Sequence, residues 1–425
     1  MKILYISYFY PPLGGPAVLR NAKIVKYLAS MGAEVDVLST RDIEYLYYDP
    51  EVLKEGGHSS ITRIPSWDPM SILKKLGRMK VLDPRKVYTN TSEKLKRIIR
   101  SALPIDDKIG WLPNLLRYGF RALKKASYDY IYVSGGPFSS VVAACILASR
   151  SSVPLVVDYR DYWSLLDDYQ IYLTPLHKAL AGYCEKRVLA QAAHIITATE
   201  GIGLGLIQNF GLDLKAKCFT VYNGWDEADF ASLPQGMDEP ELMEFAYFGA
   251  MYARRSLKHF FQAIRQIRDE TKLPQNLRIR LYGSFFPETY REIAESGIAD
   301  IIDVMPQLSH REALVQMMKS SLLLLVINSS SPAGTLTSKV FEYIRTQKPI
   351  LAMIPSQKEA ASLLKACGHS YLCAMESSSS IKLCLQRYFQ ERATNAISEP
   401  TIPWQYERSR QIAAMYALLS KKDSE

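Results

Sequence analysis

Short continuous apolar runs alternate along the chain with longer stretches whose apolar positions recur at helical spacing. That alternation predicts strands buried on both faces of a parallel sheet, with helices between them. Ile3 to Ser7 reads as a strand, Tyr10-Pro-Pro-Leu-Gly-Gly-Pro16 as a loop, and Val18 to Met31 as a helix stopped by Gly32. Glu34 to Ser39 completes a βαβ unit. The glycines of its first strand-to-helix turn, Gly14 and Gly15, do not form G-x-G-x-x-G. They make either a tight turn or a backbone that a ligand can approach closely. The rhythm returns at Tyr130 to Ser134, the Gly135-Gly-Pro137 turn, a Phe138 to Ala148 helix and a Pro154 to Val157 strand ending in Asp158-Tyr-Arg-Asp-Tyr-Trp163. A helix over Glu185 to Gln191 and strands at Ile195 to Ala198 and Phe219 to Tyr222 follow. Residues 41 to 126 read as irregular, and Asp226 to Met243, with Pro234, Gly236 and Pro240, as a linker. A second series then runs through Phe245 to Phe248, Arg278 to Tyr282, Ile302 to Met305, Leu322 to Ile327 and Ile350 to Met353. The pattern predicts two doubly wound, Rossmann-like α/β domains, 1–235 and 236–403, and a final amphipathic helix over Trp404 to Leu419.

One stretch, Gly334 to Ile350, carries candidate chemistry. A polar link, Asn328 to Gly334, follows the Leu322 strand, and a helix starts near Ser338, a plausible N-cap. Its N-terminus lies at the carboxyl edge of a parallel sheet, where free N–H groups and the helix dipole favour a phosphate. Lys339 in the first turn is unfavourable there unless an anion is bound nearby, and Glu342 follows on the same face. The alternative is a surface salt bridge on a helix whose Val340, Phe341 and Ile344 pack inward.

Composition adds a partner. The 425 residues are 48% hydrophobic and carry a net charge of +9, which points to an anionic partner. The charge concentrates in a basic segment, 68–108: between Ser71 and Arg100, Lys74, Lys75, Arg78, Lys80, Arg85, Lys86, Lys94, Lys96, Arg97 and Arg100 outnumber Asp83 and Glu93. Interleaved Leu73, Leu76, Met79, Leu95, Ile98 and Ile99 suit basic amphipathic helices on an anionic membrane surface; the alternative is a solvated charged face. No recognition motif supports nucleic acid. The six cysteines lack Cys-x-x-Cys spacing and read as thiols of a reducing compartment. No run is long enough to span a membrane, and Tyr10-Pro-Pro12 ends the first strand too early for a signal peptide, so the expected location is cytoplasmic. There is no Asp-x-Asp, and His58, His177, His194, His259, His310 and His369 show no ligand spacing, so no metal is expected and the histidines read as structural or solvated.

Five pieces in order carry a family resemblance: Tyr10-Pro-Pro-Leu-Gly-Gly15, Asp158-Tyr-Arg-Asp-Tyr-Trp163, Val221-Tyr-Asn-Gly-Trp-Asp226, Tyr247-Phe-Gly249 and Lys339-Val-Phe-Glu-Tyr343. Along nearly its whole length the chain resembles the retaining GT4 glycosyltransferases. The resemblance implies a GT-B fold, two doubly wound domains facing across a cleft, with 404–425 packing back on the N-terminal acceptor domain. It implies that Glu342 binds the donor ribose, that Lys339, Arg255 and Arg254 neutralise a diphosphate, and that Gly14 and Gly15 close over it. Gly249 and Ser338 join that donor set, and Gln307 is a candidate for contacting the base. Ala250 stands where the family has arginine, and Gly334 where it has the first of two glutamates eight residues apart. Arg160 replaces the family's sugar-facing histidine, which leaves Asp161 as the candidate catalytic-side carboxylate; the alternative for Arg160 and Asp161 is a structural ion pair.

The expected function is a retaining, metal-independent glycosyltransferase of hexosyltransferase type. It would use a nucleotide-diphosphate sugar, without a cofactor, on a hydroxyl-bearing glycan or lipid-linked acceptor in bacterial cell-surface polysaccharide assembly. Its location would be cytoplasmic, peripheral on the inner membrane face. The alternatives are a GT-B sugar-nucleotide epimerase, which needs cleft carboxylates that are scarce beyond Asp161, and a non-catalytic sugar-nucleotide-binding partner.

Overall fold

The computed structural model describes residues 1–41, 43, 48, 49, 52, 56–68, 71, 103–165, 174–233, 242–251, 255–271, 273–329 and 334–421. The chain divides into two compact units, Met1–Asn223 with Arg408–Glu425, and Gly224–Glu407. The division falls at Asn223, ahead of the expected 235.

The first unit holds strands β1 (Lys2–Ser7), β2 (Glu34–Thr40), β3 (Ser60–Ile64), β4 (Tyr130–Ser134), β5 (Leu155–Tyr159), β6 (Ala192–Thr197) and β7 (Cys218–Thr220). They form one parallel sheet in the order β3-β2-β1-β4-β5-β6-β7. The order reverses between β1 and β4, so the loops after those strands diverge there. Helices α1 (Pro16–Ser30), α2 (Leu112–Lys125), α3 (Phe138–Ser151), α4 (Pro175–Gln191) and α5 (Glu200–Phe210) complete it. β3 and α2 lie in the stretch expected to be irregular. Asn21 pins α1 to the end of β1: its amide donates to Ser7 Oγ at 2.7 Å and the Phe9 carbonyl at 2.8 Å, and it accepts from Tyr5 O–H at 2.9 Å. The terminal helix runs Arg408–Ser420, after a single 3₁₀ turn at Trp404–Tyr406, and buries Ile412, Met415 and Leu419 against Ile24, Val25 and Leu28 of α1. Tyr130 O–H donates to the Leu419 carbonyl at 3.0 Å, tying that helix to the sheet.

The second unit begins with a short helix, α6 (Glu227–Ala231), inside the segment expected to be a linker. Asp226 caps it, accepting from Ala228 N–H at 3.0 Å. Strands β8 (Met243–Phe248), β9 (Leu277–Tyr282), β10 (Ile302–Met305), β11 (Leu322–Val326), β12 (Ile350–Met353) and β13 (Leu372–Cys373) form a second parallel sheet, ordered β10-β9-β8-β11-β12-β13. Helices α7 (Lys258–Glu270), α8 (Pro287–Glu295), α9 (His310–Lys319), α10 (Lys339–Thr346), α11 (Glu359–Ala366) and α12 (Ser378–Ala393) pack around it. β11 is buried at every position, as its unbroken leucine run predicts, and is central in the sheet. Here the switch point lies between β8 and β11.

Candidate functional site

The carboxyl ends of β8 and β11 converge at the switch point of the second unit, and residues far apart in the sequence meet there. α10 starts at Lys339, and Val340, Phe341, Tyr343 and Ile344 are buried beneath it. Ser338 occupies the N-cap position but already has helical backbone angles, and its side chain caps nothing, contrary to its expected role. Lys339 instead reaches across to β8. Its amine donates to the Phe248 carbonyl and lies 5.1 Å above the Tyr247 ring. Burial pushes the Lys339 pKa down to about 7, Arg255 pushes the same way, and Glu342 opposes them. The residue as a whole is half-buried; the dense surroundings of the amine itself make it costly to charge.

Gly249 is what lets the lysine in. Its φ is +105, a region that favours glycine, and a Cβ there would run into the Lys339 amine. Its N–H donates to the Tyr282 carbonyl at 2.7 Å, and Phe248 stacks on Tyr282 with ring centroids 4.9 Å apart, so the turn is fixed from β9.

Three residues on from Lys339, Glu342 is buried, and its Oε1 accepts from His310 Nε2 at 2.9 Å. His310 Nδ1 lies 3.9 Å from Asp229 Oδ2. The imidazole therefore sits half-buried between two carboxylates, a placement that its sequence neighbours do not signal. Helix α6 is held to the same cluster: Arg345 of α10 forks onto Glu227 at 2.6 and 2.5 Å, and Arg311 of α9 donates to Ser232 Oγ at 2.7 Å and its carbonyl at 2.6 Å. Gln307 is exposed and accepts from Ser284 Oγ at 3.3 Å. Gly334 is buried, and Arg254 lies outside the described residues. A lysine and an arginine beside a helix N-terminus suit a phosphate, and a fixed carboxylate suits a pair of hydroxyls.

In the first unit, Gly14 is buried and Gly15, at φ +104, is exposed and leads into the N-terminus of α1. Arg160 does not pair with Asp161. Its guanidinium donates to the carbonyls of Gly135 at 2.8 Å and Gly136 at 2.7 Å, bracing the turn after β4. Asp161 is exposed on the bend after β5. The buried ion pair at that strand end is another one. Asp158 binds Arg20 of α1 at 2.7 and 3.0 Å, and Arg20 also donates to the Val221 carbonyl at 3.0 Å and Asn223 Oδ1 at 3.1 Å. The basic segment from Lys74 to Arg100 lies outside the described residues. Among the described residues no group of three His, Cys, Asp or Glu could hold a metal ion, and no helix is long and apolar enough to cross a membrane.

Residues 14–224 match the family model described as glycosyl transferase 4-like domain. No curated protein sequence matches the chain. Solved structures resemble it over both units. The HepE protein of Anabaena in complex with UDP is 16% identical, with a TM-score of 0.60 over 98% of this chain and 95% of that one. WaaG, a glycosyltransferase involved in lipopolysaccharide biosynthesis, is 12% identical, with a TM-score of 0.61 over 99% and 100%. The UDP-GlcNAc 2-epimerase of Neisseria meningitidis bound to UDP-GlcNAc is 12% identical, with a TM-score of 0.56 over 99% and 100%.

Proposed function

We propose that this chain, whose residues 14–224 match the glycosyl transferase 4-like domain and whose fold is that of GT-B enzymes, is a retaining glycosyltransferase that transfers a hexose from a nucleoside-diphosphate sugar to a hydroxyl of a glycan or lipid-linked acceptor in polysaccharide assembly. The observation that carries this reading is the Lys339 amine lodged against the end of β8, with Arg255 near it and Glu342 on the same helix.

In the reaction the bond from the anomeric carbon to the β-phosphate oxygen breaks and a bond to the acceptor oxygen forms on the same face of the ring. The acceptor's proton passes to the departing phosphate. Positive charge develops on the sugar and negative charge on the diphosphate. Lys339, Arg255 and the α10 N-terminus absorb the negative charge, and in this scheme no divalent metal is needed. Glu342 receives the ribose hydroxyls, and Asp161, in the first unit, positions the acceptor. The basic segment meets an anionic membrane surface at the inner face.

The test is a donor panel followed for slow hydrolysis and transfer. Release of sugar and nucleoside diphosphate is the expected result. Formation of an isomeric nucleotide sugar instead would make the chain an epimerase, a reading that the likeness to the Neisseria meningitidis enzyme keeps in view. Binding of no nucleotide sugar would end the enzyme hypothesis. Lys339→Ala lowers turnover at saturating donor by about 100-fold or more, the scale of a lost partner for developing charge; unchanged turnover removes that role from Lys339.

A further inference from the structure

The pairing of Glu342 with His310 has a consequence for which nucleotides the site accepts. A carboxylate can only accept hydrogen bonds, so the proton of the 2.9 Å contact sits on His310 Nε2. Holding Oε1 in this way fixes the plane of the Glu342 carboxylate about its last torsion, which is otherwise broad. A ribose presents two adjacent hydroxyl donors, and a carboxylate of fixed plane receives both with good geometry. A rotating one loses at least one of them on average.

The imidazole is itself held from several sides. His310 opens α9, whose first turn is locked by a reciprocal cap: Ser309 Oγ accepts from Glu312 N–H at 3.3 Å, and the Glu312 carboxylate accepts from Ser309 N–H at 2.8 Å. The next residue, Arg311, grips Ser232 just beyond α6, and Arg345 grips Glu227 at its start. Arg345 also lies over the Phe230 ring at 4.9 Å. Asp229 of that same helix faces the far nitrogen of the imidazole at 3.9 Å. Two helices and a short strap thus determine where one proton points.

We infer that His310 is a positioning residue that orients Glu342 toward the ribose diol, and that the site therefore prefers ribonucleotides to 2′-deoxyribonucleotides. The inference rests on the donor-site reading above, in which Glu342 faces the ribose. It assigns His310 no contact with the reacting atoms.

Calorimetric titration of UDP, ADP and GDP, each against its 2′-deoxy counterpart, tests it on the full-length protein. The wild type binds the ribose form of its preferred nucleotide about tenfold more tightly, which is ~1.4 kcal/mol. His310→Ala lowers that ratio to about twofold or less, mainly by weakening the ribose form. His310→Gln, which keeps an N–H donor, restores most of it. A purely structural role would weaken both forms together and leave the ratio unchanged, and that result overturns the inference while the donor-site reading stands. A wild type that binds a nucleotide with no ribose preference overturns it as well. If the wild type binds none of the three, the donor-site reading itself fails. Should His310→Ala not fold, Glu342→Gln carries the comparison, and retention of the full ratio in that variant overturns the inference.

Discussion

Lys339 is a charge placed where a charge is costly, and that cost sets how the protein handles protons. Burial first, and Arg255 second, bring its pKa down from 10.5 to about 7. Above pH 7 the amine is therefore largely neutral while no anion is present. A bound diphosphate favours the charged form and returns the pKa upward. Binding between pH 7 and 10.5 must then take up a proton, and by linkage the affinity falls as pH rises through that window. Titration of a nucleoside diphosphate at pH 8.5, in buffers of different ionisation enthalpy, should show uptake of close to one proton. At pH 5.5 Lys339 is already charged and contributes none. Lys339→Met should abolish the uptake at pH 8.5, and persistence of the full uptake in that variant would assign it to another group. Lys339 and Glu342 are legible in the sequence because they sit one turn apart at a helix start that follows a buried strand. His310, Asp229 and the Arg20–Asp158 pair are not. Their partners lie on other elements, and only the crossing of strands and helices brings them together.

At the scale of elements, the turn after β8 is as decisive as the helix that overlies it. Gly249 and Gly283 end neighbouring strands with φ of +105 and +149, and a Cβ on Gly283 would strike the Gly249 backbone carbonyl. The two variants should therefore differ in kind. Gly249→Ala meets the end of a flexible lysine, so it costs about 1–3 kcal/mol of backbone strain and moves the amine off Phe248. Gly283→Ala meets backbone that cannot yield and should destabilise the unit more. Chemical denaturation ranks the two, and a larger loss for Gly249→Ala would contradict this packing. The same physics explains which elements the sequence reveals. β11 and β1 are buried on both faces, so their apolar runs are unbroken. β3 forms the sheet edge, with partly exposed Thr62 and Arg63, and its sequence, Ser60-Ile-Thr-Arg-Ile64, lacks that signal. α2 opens on Leu112-Pro-Asn114 just after the basic segment and is hidden by its context. α6 is too short for helical spacing to register and is held by the Arg345–Glu227 ion pair from α10 and by Arg311 of α9, which hydrogen-bonds Ser232 just beyond it.

At the scale of the whole molecule, each unit carries its own apolar core. The cores of the first unit run from Ile3 to the terminal helix, and that of the second from Met243 to Ile397. The terminal helix belongs to the first unit although the chain reaches it through the second. Damage there should remain local. Met415 is buried against α1 and accepts a hydrogen bond from Tyr132 O–H at 3.8 Å, so Met415→Ala leaves a cavity costing about 2–5 kcal/mol. Hydrogen exchange should then show faster opening of α1, β1 and β2, while amides of α7, α10 and α12 keep their protection. Affinity for a nucleoside diphosphate, measured under folding conditions, should stay within about twofold, because Lys339, Glu342 and His310 are all fixed from within the second unit. Equal loss of protection in both units would mean that they unfold as one cooperative body, and separate cores would then no longer explain how the terminal helix acts.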